Sequence, residues 1–137
     1  MDQYDDCIIF LLVKAYQKAH GNFKRRLLPD GLTPVQYLIL EALWEDEGLS
    51  ASDIGKKLVL DSATLSGVLD RMAEGGWIFK DTNDQDKRFI KIYLADKAKE
   101  LKPVLIGKRK QANKEILHGF TLEEKVLLKR LLRDLKG

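Results

Sequence analysis

Residues 61–72 read Asp61-Ser62-Ala63-Thr64-Leu65-Ser66-Gly67-Val68-Leu69-Asp70-Arg71-Met72. At a helical period, Leu65, Val68, Leu69 and Met72 form one apolar stripe, which leaves Ala63, Thr64, Ser66, Gly67, Asp70 and Arg71 facing outward. The chemistry open to that outer face is hydrogen bonding and charge pairing, not bond making. Thr64 and Ser66 can bond bases or phosphates, and Arg71 can pair with a guanine or reach a phosphate backbone. Apart from Asp70 and Arg71 the outward residues are small, which lets a helix sit deep in a groove about 12 Å wide. A helix beginning at Ser62 also presents free backbone donors to a phosphate.

The elements that must hold this helix follow from periodicity and capping. An amphipathic helix is expected from about Tyr4 to Leu28, with Ile8, Leu11, Leu12, Ala15 and Ala19 on one face, ended by Pro29-Asp30-Gly31. Thr33-Pro34-Val35-Gln36 combines an N-cap, a first-turn proline and a capping-box glutamine, opening a second helix to about Glu45. Ser50-Ala51-Ser52-Asp53 starts a short third helix that carries Ile54 and Leu58 inward. A turn at Val59-Leu60-Asp61 leads into a fourth helix, which Asp61-Ser62 caps and Gly75-Gly76 ends. Two β-rich runs follow, Trp77-Ile78-Phe79 and Phe89 to Leu94, joined by a polar stretch at 81–87, and together they predict a hairpin with a long tip. A fifth helix is expected from about Asp96 to Leu117, with Pro103 kinking it or marking a late start, and a last one opens at the capping box Thr121-Leu122-Glu123-Glu124. Its Leu128, Leu131, Leu132 and Leu135 form a stripe.

The fold class is therefore mainly α with a small β-hairpin wing, a winged helix-turn-helix flanked by N- and C-terminal helices. With 137 residues, 45% of them hydrophobic, and no Gly-, Ser- or Pro-rich linker, a single domain is expected. Residues from about 33 to 95 are expected to form its DNA-binding lobe, and about 4–28 and 96–136 its dimerisation helices. Those terminal stripes need cover, and in so short a chain the expected partner is a second copy related by a two-fold axis.

In this order and spacing, Leu32-Thr33-Pro34-Val35-Gln36-Tyr37, Leu60-Asp61-Ser62-Ala63-Thr64-Leu65-Ser66, Leu69-Asp70-Arg71-Met72, Gly76-Trp77-Ile78, Asp86-Lys87-Arg88 and Ile92-Tyr93-Leu94 resemble the MarR family of winged helix-turn-helix transcriptional regulators. The resemblance implies a dimer that binds a near-palindromic double-stranded DNA operator, as a repressor relieved by a small ligand or oxidant. It implies that Arg88 is the wing arginine that enters the minor groove and that Asp86 holds the tip and its arginine. A guanidinium suits a narrow A·T-rich groove, and a nearby carboxylate can fix its direction. Lys87 departs from the family's frequent second arginine and loses the bidentate fork. From Asp53 to Lys91 seven basic side chains meet seven acidic ones, a net of zero, so binding must depend on placement rather than bulk field.

Other readings stay open at this level. A winged helix can be a protein-interaction module without specific DNA binding, in which Asp86 and Arg88 only tie a hairpin together. The resemblance extends to the organic hydroperoxide resistance regulators, which makes oxidant sensing by Cys7 an alternative. Aligned from Leu32-Thr33, however, the sensing position falls on Ile9 and the tyrosine positions on Phe23 and Pro34, and Asp5 and Asp6 disfavour a Cys7 thiolate. A small aromatic effector would sit between the dimer helices and the DNA-binding lobe, where Tyr16, His20, Phe23, Tyr37 and Trp44 fall, although aromatics at helical spacing are also ordinary core. One cysteine and two distant histidines give no metal-ligand spacing, so no metal or cofactor is expected. With no phosphate loop, nucleophile elbow or paired acids the chain does not read as an enzyme. The run from Cys7 to Val13 is far short of the roughly 20 apolar residues that cross a bilayer, so a cytoplasmic protein without membrane contact is expected.

Overall fold

The computed structural model describes residues 3–81 and 90–137. These form seven α-helices and a two-stranded antiparallel hairpin: α1 (Ile8–Leu27), α2 (Pro34–Glu45), α3 (Ala51–Leu58), α4 (Ser62–Glu74), β1 (Ile78–Asp81), β2 (Lys91–Leu94), α5 (Asp96–Glu100), α6 (Lys102–Ile116) and α7 (Leu122–Lys136). The winged helix-turn-helix with flanking helices is thus the observed architecture.

Helix α2 is the hub. Its Tyr37, Ile39, Leu40 and Leu43 are fully buried, and around them gather Ile54 from α3, Leu65, Leu69 and Met72 from α4, Ile78 and Ile92 from the strands, and Leu105 from α6. The capping box opens it as the residues predict: Gln36 N–H donates to Thr33 Oγ1 at 3.2 Å, and Thr33 N–H to Gln36 Oε1 at 3.0 Å.

Three element bounds differ from the sequence reading. The expected helix from Tyr4 is interrupted at Cys7, which is extended (φ −86°, ψ 118°) between a 3₁₀ turn at Gln3–Asp6 and α1. Tyr4 packs edge-on against Phe10 at 4.9 Å, folding the turn back onto α1. The fifth helix is two helices, because Pro103 lacks an N–H and its ring would clash with the Lys99 carbonyl in a continuous helix. The backbone breaks at Leu101, whose N–H bonds both the Lys97 and Lys99 carbonyls, and Pro103 sits in the first turn of α6. Strand β1 begins at Ile78 and runs to Asp81, in the register Ile78↔Leu94 to Asp81↔Lys91.

Strand β2 has a second neighbour that the sequence did not announce. Ile92 N–H donates to the Leu49 carbonyl at 2.9 Å and Gly48 N–H to the Ile92 carbonyl at 3.0 Å, so the segment before α3 clamps the hairpin. At the other end of the molecule, α1 lies along α6, with ion pairs Arg26–Glu115, Lys108–Asp30 and Arg109–Glu41 joining α6 to the first two helices and the turn between them. Helix α7 buries none of its residues. Its Leu131 is 48% and Leu132 44% exposed, and Ile8, Ile9, Leu11 and Val13 of α1 are exposed as well.

Candidate nucleic-acid interface

The turn before α4 is fixed by four local features. Ser50 caps α3 in a reciprocal box with Asp53. Gly55 lets the chain fold back closely: a Cβ there would lie 3.2 Å from the Leu60 carbonyl oxygen, and Leu60 N–H donates to the Gly55 carbonyl at 2.9 Å. Val59 ends α3 in the left-handed region (φ 56°), where a β-branched side chain is strained, and its side chain is exposed. Asp61 then caps α4, with Thr64 N–H donating to Oδ1 and the Thr64 hydroxyl to Oδ2, both at 2.8 Å. Those bonds, the backbone one foremost, hold the Asp61 carboxyl below the usual carboxylate range, so it is ionised near neutral pH.

Leu65, Val68, Leu69 and Met72 are buried, as the stripe requires, while Ser62, Ala63, Thr64, Ser66, Asp70 and Arg71 are exposed and Gly67 is half-buried. The Arg71 guanidinium lies over Gly67, where a Cβ would meet its nitrogen at 3.7 Å. The missing side chain at 67 makes room for the arginine along the helix. Among the described residues Arg71 has no carboxylate partner. Asp70, by contrast, is paired: the Lys80 ammonium of β1 donates to Asp70 Oδ1, tying the hairpin base to α4. Asp70 therefore positions the wing strand, a role that only the folded chain reveals, because the two residues come from different elements.

At the far end of α4, Lys97 Nζ donates to the Gly75 carbonyl at 2.6 Å and lies 4.2 Å from the centre of the Trp77 ring. It supplies a cation at the negative end of the helix dipole. Phe79 and Tyr93 stack across the hairpin at 5.6 Å. Between α3, α4 and the strands runs an open groove of about 1240 Å³, edged by Ser50, Lys56, Ser66, Lys80 and Lys91. The wing residues Asp86, Lys87 and Arg88 lie outside the described residues.

The aromatic residues considered for an effector fall into two groups. Phe23, Tyr37 and Trp44 form an edge-to-face chain, with rings 4.9 and 5.9 Å apart. The Tyr37 hydroxyl donates to Glu41 at 2.9 Å, and Trp44 Nε1 to the Ala98 carbonyl at 3.1 Å. Burial first, then the Glu41 carboxylate, push the Tyr37 phenol well above its usual range. Tyr16 and His20 make a separate pair farther up α1, at 5.2 Å. The Glu41 carboxylate also receives Arg109 at 2.6 Å, a tie between α2 and α6 that sequence spacing could not have found. Cys7 is exposed. Among the described residues no cluster of potential ligands could hold a metal ion, and no helix is long and apolar enough to cross a membrane.

Comparison with known proteins gives this geometry a family. The MarR family model matches residues 32–90, from the start of α2 to the hairpin. The chain is 41% identical over 98 residues to the HTH-type transcriptional regulator TtmR of Methylorubrum extorquens (strain PA1), covering 71% of this chain and 50% of that protein. It thus spans half of that relative's length. It is 31% identical over 116 residues to the organic hydroperoxide resistance transcriptional regulator of Bacillus subtilis (strain 168), covering 80% of this chain and 79% of the relative. The fold superposes with a TM-score of 0.90, at 23% identity and over 100% of this chain and 98% of the other, on Bordetella bronchiseptica BpsR, whose DNA binding is regulated by 6-hydroxynicotinic acid. These are regulators of transcription and not enzymes. The chain belongs to the MarR family of DNA-binding transcriptional regulators.

Proposed function

We propose that the protein is a homodimeric repressor that reads a near-palindromic operator with two copies of α4 and is released from it by a small aromatic ligand. The observation that carries the reading is the outer face of α4: exposed small and hydroxylated residues on a helix that Asp61 and Gly55 tie at its start and Lys97 at its end. In this account Ser62, Ala63, Thr64, Ser66, Gly67 and Arg71 address the major groove and Asp70 acts through Lys80. Residues 33–95 are the DNA-binding lobe of one domain comprising residues 1–137, and 4–28 and 96–136 the dimerisation helices. Support for the dimer comes from the exposed apolar faces of α1 and α7. Two-fold symmetry then places the half-sites about 10 bp apart.

From the family pattern, Arg88 enters the minor groove with Asp86 directing it and Lys87 beside it. Arg88→Ala is expected to cost far more affinity than Lys91→Ala, although each removes one charge. Asp86→Ala is expected to weaken binding despite removing an acid. Support for ligand release is the regulation of BpsR by 6-hydroxynicotinic acid. The test is selection of bound duplexes from a random pool, followed by release trials with aromatic acids and with hydroperoxides. An enriched inverted repeat supports the reading. Failure to enrich any sequence would leave a protein-interaction module, and release by peroxide that a Cys7→Ser variant resists would replace the ligand by an oxidant.

A further inference from the structure

On the outer face of α4 the two hydroxyls are not equivalent. Among the described residues Ser66 has no side-chain hydrogen bond and its hydroxyl can turn either way. The Thr64 hydroxyl lies 2.8 Å from Asp61 Oδ2, and an ionised carboxylate can only accept. The single proton of that hydroxyl is therefore spent on the cap. What Thr64 Oγ1 offers to a partner is its lone pairs.

We propose that Thr64 is a specificity-determining residue that reads an exocyclic amino group in the major groove, adenine N6 or cytosine N4, and rejects the acceptors guanine O6 and thymine O4. The inference rests on the DNA-binding reading and sharpens it. Major-groove donors are these two amino groups alone, whereas guanine and thymine present acceptors that would face the oxygen lone pairs of Thr64. The residue stands in the first turn of α4, the part of a recognition helix that reaches base edges. The selectivity belongs to the Asp61–Thr64 pair, since Asp61 sets the direction of the hydroxyl. Asparagine at 61 would keep the cap by accepting the Thr64 N–H through its oxygen. Its amide nitrogen would then stand where Oδ2 was, donate to Oγ1 and free the hydroxyl proton for a base acceptor.

The test uses the whole 137-residue chain and an operator obtained by selection. Each adenine in the half-site is replaced by purine, which lacks the N6 amino group, and each cytosine by 2-pyrimidinone, which lacks N4. Affinities are measured for the wild type, Thr64→Val, Thr64→Ser and Asp61→Asn. At one position amino deletion should cost the wild type and Thr64→Ser about five-fold, one neutral hydrogen bond, and cost Thr64→Val and Asp61→Asn nothing. Weaker pairing by the modified base affects every variant alike and cancels in the cycle. In a second selection Asp61→Asn should exchange the base pair preferred at that position and leave the others as they were. Amino deletions that never depend on Thr64, or an unchanged Asp61→Asn preference, overturn the proposal while leaving the DNA-binding reading intact. If the wild type selects no operator, both fall together.

Discussion

The recognition half of the molecule and its terminal helices solve the burial problem in opposite ways. Helices α3 and α4 and the hairpin turn most of their large apolar side chains into one core shared with α2, and they close their ends with side-chain caps, a left-handed turn at Val59 and the Lys97 tie. Helices α1 and α7 are as amphipathic, yet α7 buries nothing and α1 shows much of its apolar face. Both regions follow the same period, so what separates them is whether the partner surface lies in the same chain. The reading lobe is complete within one chain. The arms are complete only in the proposed dimer.

That contrast can be broken at either end. Leu131→Glu should act only through association: each protomer loses about 1.5–3 kcal/mol of apolar burial, counted twice by symmetry, so the dissociation constant of the dimer rises at least about 100-fold. Circular dichroism of the lobe should keep its native form. Leu69→Ala, at a position 2% exposed, should instead cost about 2–5 kcal/mol of folding stability at every protein concentration, measured by urea unfolding. If the two variants gave the same concentration dependence, the division between regions would be wrong.

Smaller effects sharpen the account of the lobe. Asp61→Ala removes the α4 cap and should destabilise by about 0.5–2 kcal/mol, while Asp61→Asn stays close to wild type in thermal unfolding. Val59→Gly relieves the left-handed strain and should raise stability by about 0.5–1 kcal/mol, the strain released less the entropy that glycine loses.

The pH response should divide the same way. Glu115 is held below the usual carboxylate range chiefly by Arg26, with Asn22 second. Its contribution is present above the unfolded-state value of about 4.3 and is lost as pH falls below it, so Glu115→Gln should flatten the acid limb slightly. Tyr37 runs in the other direction. With its folded pKa raised, its contribution is full below pH 10 or so and falls as pH rises further, and Tyr37→Phe should flatten the alkaline limb of a stability profile.

Sequence made the local devices plain. The boxes at Thr33 and Thr121, the Asp61 cap, the Gly75-Gly76 stop and the α4 stripe all depend on residues within one or two turns of each other, and all are present. What it hid was long-range. The Asp70–Lys80 and Glu41–Arg109 pairs and the Leu49–Ile92 clamp join positions that no periodicity relates. The breaks at Cys7 and Leu101 belong to an intermediate class: Pro103 signalled a disturbance near 101, but whether the helix would bend or restart depended on the backbone bonds around Leu101. Gly55, inside the short helix α3, is a usable signal in the sequence, since a glycine one turn before the helix end permits the close return of the chain at Leu60.

The claim that the reading lobe is self-sufficient while the arms need a second copy is tested most directly by sedimentation equilibrium of the chain without DNA at micromolar concentration. The wild-type chain should sediment at twice the chain mass, and Leu131→Glu should convert it to a folded monomer. A wild-type chain that sediments as a monomer with native circular dichroism would contradict the claim.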